Sequence, residues 1–192
     1  MPTASATSDD ILRVARTLII AGGYNGFSYA DIADAVGIRK ASIHYHYPTK
    51  VDLVRTLLQR HRQEVEAGIA HSQQSLPPLD QLRSYISFWQ NCIGDATAAF
   101  CICALLATEI PILPGEITLE LRAHFATLTE WLTSALEQGA DQGAIILHTT
   151  ARAEAETFLA TVHGAMLSAR AYGDDHVFAV ITDALLERLS AH

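Results

Sequence analysis

Residues 28–50 read SYADIADAVGIRKASIHYHYPTK, and this stretch decides the fold. Ser28 followed by Asp31 is a capping box with Asp in place of the usual Glu, and Phe27 with Ile32 flank it as a hydrophobic staple, so a helix begins at Tyr29. The body of that helix, YADIADAV, turns Ala30, Ile32, Ala33 and Val36 inward, and Gly37 closes it in the left-handed conformation that glycine adopts at least cost. A second short helix follows at once, from Arg39 to Tyr47. Ile43 and Tyr47, four residues apart, form its inner face, and Pro48 stops it. Two short helices joined by so tight a turn make a helix-turn-helix.

The outward side of the second helix carries the chemistry. With Ile43 inward, Ala41 and Tyr45 point away from the core and Ser42 and His44 flank them; Arg39 and Lys40 complete the surface. A basic, hydrogen-bonding and aromatic face on a short helix suits the major groove of DNA, against the competing role in which His44 and Tyr45 only cover the core. A further helix starts at Thr49, whose hydroxyl caps it while Asp52 fills the third position. Lys50 in its first turn opposes the helix dipole by roughly 0.3–1 kcal/mol. A phosphate on the free N–H groups there would reverse that sign, which makes Thr49 and Lys50 a candidate backbone clamp, with Ser28 and Tyr29 at the preceding helix start as a second.

Upstream, Ile11, Leu12, Ala15, Leu18 and Ile19 define one face of a helix from about Asp9 to Ala21, stopped by Gly22-Gly23. Downstream, the helix begun at Thr49 runs to about Ser72, where SLPP (75–78) breaks it. Helical patterns then cover about Leu79–Ile93, Thr97–Ile110, Glu116–Gln138, Ala151–Tyr172 and Asp174–Ser190, with PILPG (111–115) and DQGA (141–144) as turns. The expected fold is all-α, about nine helices. An N-terminal three-helix helix-turn-helix DNA-binding domain (1–50) is joined by a long helix to a C-terminal helical ligand-binding and dimerisation domain (51–192).

Charge agrees with that division. The chain's net −8 splits into +3 over residues 1–62, with eight Lys+Arg against five Asp+Glu, and −11 over the remainder. A small basic module on an acidic body points to a polyanionic partner for the module. At 49% hydrophobic and 18% charged, the 192 residues exclude extended disorder. The longest uncharged apolar run, between Asp95 and Glu109, has 13 residues, short of the roughly 20 that a bilayer crossing needs. The N-terminus lacks a basic segment followed by an apolar one, so the expected location is the cytoplasm, with no membrane partner.

The stretch from Ile11 to Leu57 resembles the DNA-binding domain of the TetR family of bacterial transcriptional regulators. The resemblance is carried by Gly23-Tyr24, Phe27-Ser28, Asp31-Ile32-Ala33, Gly37-Ile38, Lys40, Tyr45-His46, Pro48, Lys50 and Leu53. The chain departs from the commonest pattern at Ala41, where glycine is frequent, at His44, where tyrosine is usual, and at Tyr47, where phenylalanine is usual; these positions bear on operator sequence. FCICALLATEIPILP (100–114) resembles a subgroup with a Cys-rich sixth helix. The resemblance implies a homodimeric repressor on a pseudo-palindromic double-stranded operator, released by a small-molecule effector.

In the C-terminal body, Tyr85, Phe88, Trp89 and Cys92 fall at helical spacing, and Phe100, Cys103, Phe125, Leu128, Trp131, His163 and Met166 are candidates to face them around a small, largely apolar effector. Plain core is the competing role for each. Glu109 is either a pocket carboxylate or a solvated helix end. Phe158, Val162, Ala165 and Ser168 with Phe178, Ile181 and Leu185 are the expected dimer interface, a four-helix arrangement across a two-fold axis. His44 and His46, like Cys101 and Cys103, stand two apart on expected helices and so about 200° apart, the wrong spacing to share an ion. Neither a metal nor a cofactor is expected, and Cys92, Cys101 and Cys103 read as small apolar core residues. No phosphate loop, nucleophile elbow or His-Glu-x-x-His motif points to an enzyme. A helical small-molecule carrier or enzyme that does not use its helix-turn-helix on DNA is the alternative, as is a protein adaptor; steep salt dependence of duplex binding separates them from a DNA reader.

Overall fold

The computed structural model describes residues 4–94 and 100–191. Among these the chain forms nine α-helices: α1 (Ala4–Gly22), α2 (Tyr29–Val36), α3 (Lys40–His46), α4 (Lys50–Ser75), α5 (Pro78–Gly94), α6 (Ile102–Ala107), α7 (Gly115–Asp141), α8 (Ala151–Tyr172) and α9 (His176–Leu189). A 3-10 turn at Ile110–Ile112 and one isolated antiparallel bridge between Ile145 and Ser190 complete the described residues. The all-α class follows from the 3.6-residue apolar period that every segment beyond the turns shows.

The chain divides into two compact units. The first comprises residues 1–64 and 102–124; the second comprises 65–101 and 125–192. Beside the three helices of the helix-turn-helix module, the first unit therefore takes in α6 and the start of α7. Ile11, Ala15 and Ile19 of α1, Ile32 of α2, Ile43 of α3, Leu53 and Leu58 of α4, and Ile102, Leu106 and Ile117 are all buried there. Each of the buried isoleucines and leucines contributes about 1.5–3 kcal/mol of apolar transfer, before entropy is set against it.

Local chemistry explains the module's short helices. Ser28 Oγ accepts from the backbone N–H of Ala30 and Asp31, and Asp31 Oδ2 accepts the Ser28 N–H at 2.7 Å, so the capping box is complete. Those bonds hold the Asp31 carboxyl below the usual carboxylate range. Gly37 caps the end of α2 at φ 77°, ψ 34°, its N–H donating to Ala33 O at 2.9 Å. The inner face of α2 consists of Tyr29, Ile32 and Ala33, with Val36 half-buried, and Ala30 is exposed rather than inward. Tyr29 occupies the inner stripe, which places Ala30 about 100° away from it.

The sixth helix is shorter than the pattern implied. Its expected start at Thr97 lies outside the described residues, and α6 itself spans only Ile102–Ala107. Pro111 cannot donate a helical hydrogen bond and disfavours the α conformation at the residue before it, so the chain turns into the 3-10 segment instead. Cys101 precedes α6, so the 200° separation that set it apart from Cys103 does not apply.

In the second unit, α8 packs on α9 around Phe158 and Phe178, both wholly buried. Trp131 Nε1 donates to Gln81 Oε1 at 3.0 Å. Glu154, buried at the start of α8, accepts two bonds from the Arg188 guanidinium near the end of α9, at 2.6 and 3.2 Å, and a third from the His148 N–H.

Candidate nucleic-acid interface

Helix α3 is held from behind and open in front. Ile43 and Tyr47 are buried; the Tyr47 hydroxyl meets Ser8 Oγ of α1 at 2.7 Å, and the Tyr47 carbonyl accepts the Tyr29 hydroxyl at 2.9 Å. On the other side Arg39, Lys40, Ala41, His44 and Tyr45 are exposed and Ser42 is half-buried, with Tyr45 83% exposed. An aromatic side chain that far out of the core has no packing reason for its position. His44 lies against the Tyr29 ring at 4.7 Å, and its Nδ1 is 3.2 Å from Pro48 O, which fixes the edge it presents outward.

The cations sort by partner. Arg13, Arg55, Arg60 and Arg62 pair with Asp10, Asp52, Asp9 and Glu120. Arg39 and Lys40, at the start of α3, make no ion pair among the described residues. Arg16 of α1 is likewise without an ion pair among the described residues, but Arg39 and Lys40 are the ones that lie on α3.

At the helix starts, Thr49 Oγ1 donates to Asp52 Oδ2 at 2.7 Å and accepts the Asp52 N–H at 3.1 Å, so α4 is capped as its sequence implies. Ser28 is exposed at the start of α2, whereas Tyr29 is buried. Burial, reinforced by the Asp52 charge, pushes the Tyr29 phenol up to about 12, so its hydroxyl stays a neutral donor to Tyr47 O.

Lys50 has a second role that its position in the helix concealed. Its Nζ donates to Phe27 O at 2.5 Å and sits over the Phe27 ring at 3.9 Å and the Tyr24 ring at 5.0 Å. Burial lowers its pKa, with the Asp31 charge opposing. Its ammonium thus fastens the start of α4 to the segment before α2, compensating the unfavourable dipole, and still has donors left for a phosphate. Lys50→Met, which keeps the aliphatic stem, is expected to lower stability in urea unfolding by about 1–2 kcal/mol. Unchanged stability would confine Lys50 to the DNA side.

Glu109 is neither a pocket carboxylate nor a solvated end. Its Oε2 accepts the Tyr24 N–H at 2.8 Å, tying the segment after α6 to the turn after α1. Gly23 sits there at φ +75°, and a Cβ on it would fall 1.9 Å from Glu109 Oε1. No sequence signal marks this tie, because it spans 85 residues.

The candidate effector residues separate into three groups. Tyr85, on α5, meets Trp89, Trp131 and Phe158 at ring distances of 6.4, 5.6 and 6.2 Å, and Phe125 meets His163 at 5.6 Å, all within the second unit. Leu128 and Met166 are buried, Cys92 is half-buried, and Phe100 is buried with Arg170 over its ring at 5.6 Å. Phe88 instead points outward, 55% exposed, and Cys103 belongs to the first unit. Trp89 Nε1 and His163 Nε2 are buried with no hydrogen-bond partner among the described residues.

The expected dimer residues divide by burial. Phe158, Val162, Ala165, Phe178 and Leu185 are buried within the protomer, and Ser168 and Ile181 are half-buried. The five buried side chains belong to the protomer's core and offer no surface to a second copy. The exposed apolar residues on these helices are Leu167 (59%), Val180 (56%) and Tyr172. Ala160, Gly164 and Ala171 are exposed at helical spacing around Leu167, and no atom lies within 4 Å of where a Gly164 Cβ would be. The apolar pattern alone could not say which of two apolar faces turns inward.

Residues 11–57 match the family described as bacterial regulatory proteins, tetR family, and residues 78–185 match the tetracyclin repressor-like C-terminal domain. Among solved structures, a TetR-family transcriptional regulator from Agrobacterium tumefaciens is 59% identical with a TM-score of 0.96, covering 98% of this chain and 100% of its own. A TetR transcriptional regulator from Legionella pneumophila is 26% identical with a TM-score of 0.87 and 99% coverage of both chains. A regulatory protein TetR from Rhodobacter sphaeroides, at 18% identity and a TM-score of 0.85 over 94% of this chain and 97% of its own, shares the fold. No curated protein matches the sequence.

Proposed function

The chain belongs to the TetR family of bacterial transcriptional regulators, and from that premise we propose that it is a repressor, a homodimer that holds a pseudo-palindromic operator and releases it on binding a small, largely apolar effector. The observation that carries this reading is the exposed face of α3. Arg39, Lys40, Ala41, His44 and Tyr45 project together from a helix braced by Ile43 and Tyr47, while Arg13 of α1 and Arg55, Arg60 and Arg62 of α4 are engaged by acids. Two such helices in one dimer reach successive major grooves when their half-sites lie about 34–36 Å apart, or a multiple of that. No helix among the described residues is long and apolar enough to cross a membrane, which accords with a regulator acting in the cytoplasm.

Roles divide along α3. Lys40 contributes charge, Tyr45 contributes a hydroxyl and a ring to base edges, and the starts of α2 and α4, with Ser28, Tyr29, Thr49 and Lys50, seat the phosphates. Selection of bound duplexes from a random library is expected to return a two-fold symmetric sequence. On that sequence Lys40→Ala should lower the slope of log affinity against log salt by about one unit and weaken all duplexes alike. Tyr45→Ala should cost roughly 1–3 kcal/mol and relax preference at one or two base pairs. Duplex affinity indifferent to salt, with no sequence enriched, would favour the carrier reading instead.

Support for an effector comes from the second unit. An indole N–H and an imidazole nitrogen buried without hydrogen-bond partners among the described residues, on Trp89 and His163, are groups that a bound molecule with one or two polar atoms would satisfy. The surface around Leu167, Gly164 and Val180 is the proposed dimer face. Small residues there let helices of two copies approach closely, and the exposed apolar side chains gain burial only in a complex.

A further inference from the structure

Unit one contains a second cluster that DNA binding does not use. His61 of α4, Cys103 of α6 and His124 of α7 are all buried, and their ligating atoms lie within 4.8 Å of one another. The imidazoles of His61 and His124 stand 5.2 Å apart, inclined by 32°. Three separate helices thus deliver imidazole and thiol groups to one interior point. Aliphatic side chains would fill that space without the penalty of burying polar atoms.

Two further observations point to a ligand. The Nε2 of His61 is buried with no hydrogen-bond partner among the described residues, and His61 is 92% buried by its 8% exposure. An orphaned buried nitrogen calls for an occupant. His61 also lines a groove of about 280 Å³ bounded by Asp9, Arg60 and Glu64, which gives a path from solvent.

We propose that His61, Cys103 and His124 bind one zinc ion per chain. Imidazole and thiolate are preferred zinc donors, at about 2.0–2.1 Å for nitrogen and 2.3 Å for sulfur, which sets donors roughly 3.3–3.8 Å apart in a tetrahedron whose fourth position a solvent molecule completes. The observed 4.8 Å limit contracts to that geometry by side-chain rotation. Binding displaces the Cys103 thiol proton to solvent and leaves its sulfur as a thiolate; no redox change is involved. The site is read from the donor set alone and does not depend on the repressor reading.

The test is metal titration of the full chain after chelator treatment and dialysis. Cobalt(II), a spectroscopic stand-in for zinc, should bind at one per chain. It should show a sulfur-to-metal charge-transfer band in the near ultraviolet and intense tetrahedral d–d bands, both abolished by one equivalent of zinc. His61→Ala, Cys103→Ser and His124→Gln should each weaken zinc binding at least about 100-fold, beyond what loss of an outer-shell group causes. Cys92→Ser, which removes a thiol outside the cluster, should leave it unchanged. Zinc should also raise the unfolding temperature of the unaltered chain, a readout that holds even where a variant fails to fold. The site is excluded if cobalt gives no charge-transfer band, if Cys103→Ser binds zinc as the unaltered chain does, or if zinc leaves the unfolding temperature where it was.

Discussion

Replacing Arg188 with Ala is expected to cost the protein about 3 kcal/mol of stability, because it strands the Glu154 carboxylate in the interior. Glu154 is buried and accepts both Arg188 bonds, and among the described residues the other donor on it is the His148 N–H. Those Arg188 bonds hold the Glu154 carboxyl below its ordinary range against the opposing effect of burial, and they raise Arg188 in turn. The low end of the usual range for broken buried pairs applies, since the Arg188 side chain is 37% exposed and water screens part of the attraction. Urea unfolding at fixed protein concentration measures the loss. The pH dependence fixes its origin. A carboxyl whose folded pKa is depressed contributes stability that is present above its unfolded value and is lost as pH falls through the folded one. The unaltered chain should therefore lose stability on acidification below the ordinary glutamate range, and Arg188→Ala should show a weaker dependence there. Arg188→Lys should recover only part, since an ammonium cannot make the two-pronged contact. Equal stability of Arg188→Ala and the unaltered chain would mean that the pair contributes nothing net.

Leu167→Glu is expected to give folded monomers that bind the operator on the order of 10²–10⁴-fold more weakly. A single half-site loses the effective concentration that the second supplies. The substitution should be tolerated in the protomer, because Leu167 is 59% exposed on α8. Ala165→Glu is the contrasting case, since Ala165 is 1% exposed and its charge would enter the α8–α9 core, so unfolding rather than clean dissociation is expected. Mass by light scattering and helicity by circular dichroism separate the two outcomes. A dimer that survives Leu167→Glu would place the interface elsewhere on the chain.

The sequence by itself determined what depends on neighbours a few residues apart. Capping boxes at Ser28–Asp31 and Thr49–Asp52, the left-handed Gly37, and the outward face of α3 all rest on backbone hydrogen bonds and helical angles that a short stretch specifies completely. The all-α class rests on the same periodicity, and residues 11–57 carry the family. Helix amphipathicity, however, says that a face is apolar and not what covers it. Phe158, Val162 and Phe178 could therefore serve a protomer core or a dimer equally well until α8 was seen packed on α9. Phe88 keeps helical register with Trp89 yet points outward. Contacts between distant segments were likewise illegible. The Glu109 bond to Tyr24, the Lys50 ammonium on Phe27 and the meeting of His61 with Cys103 and His124 join residues 85, 23, 42 and 63 positions apart. Such meetings follow from how whole helices pack, which is decided by the summed burial of many side chains rather than by any local spacing.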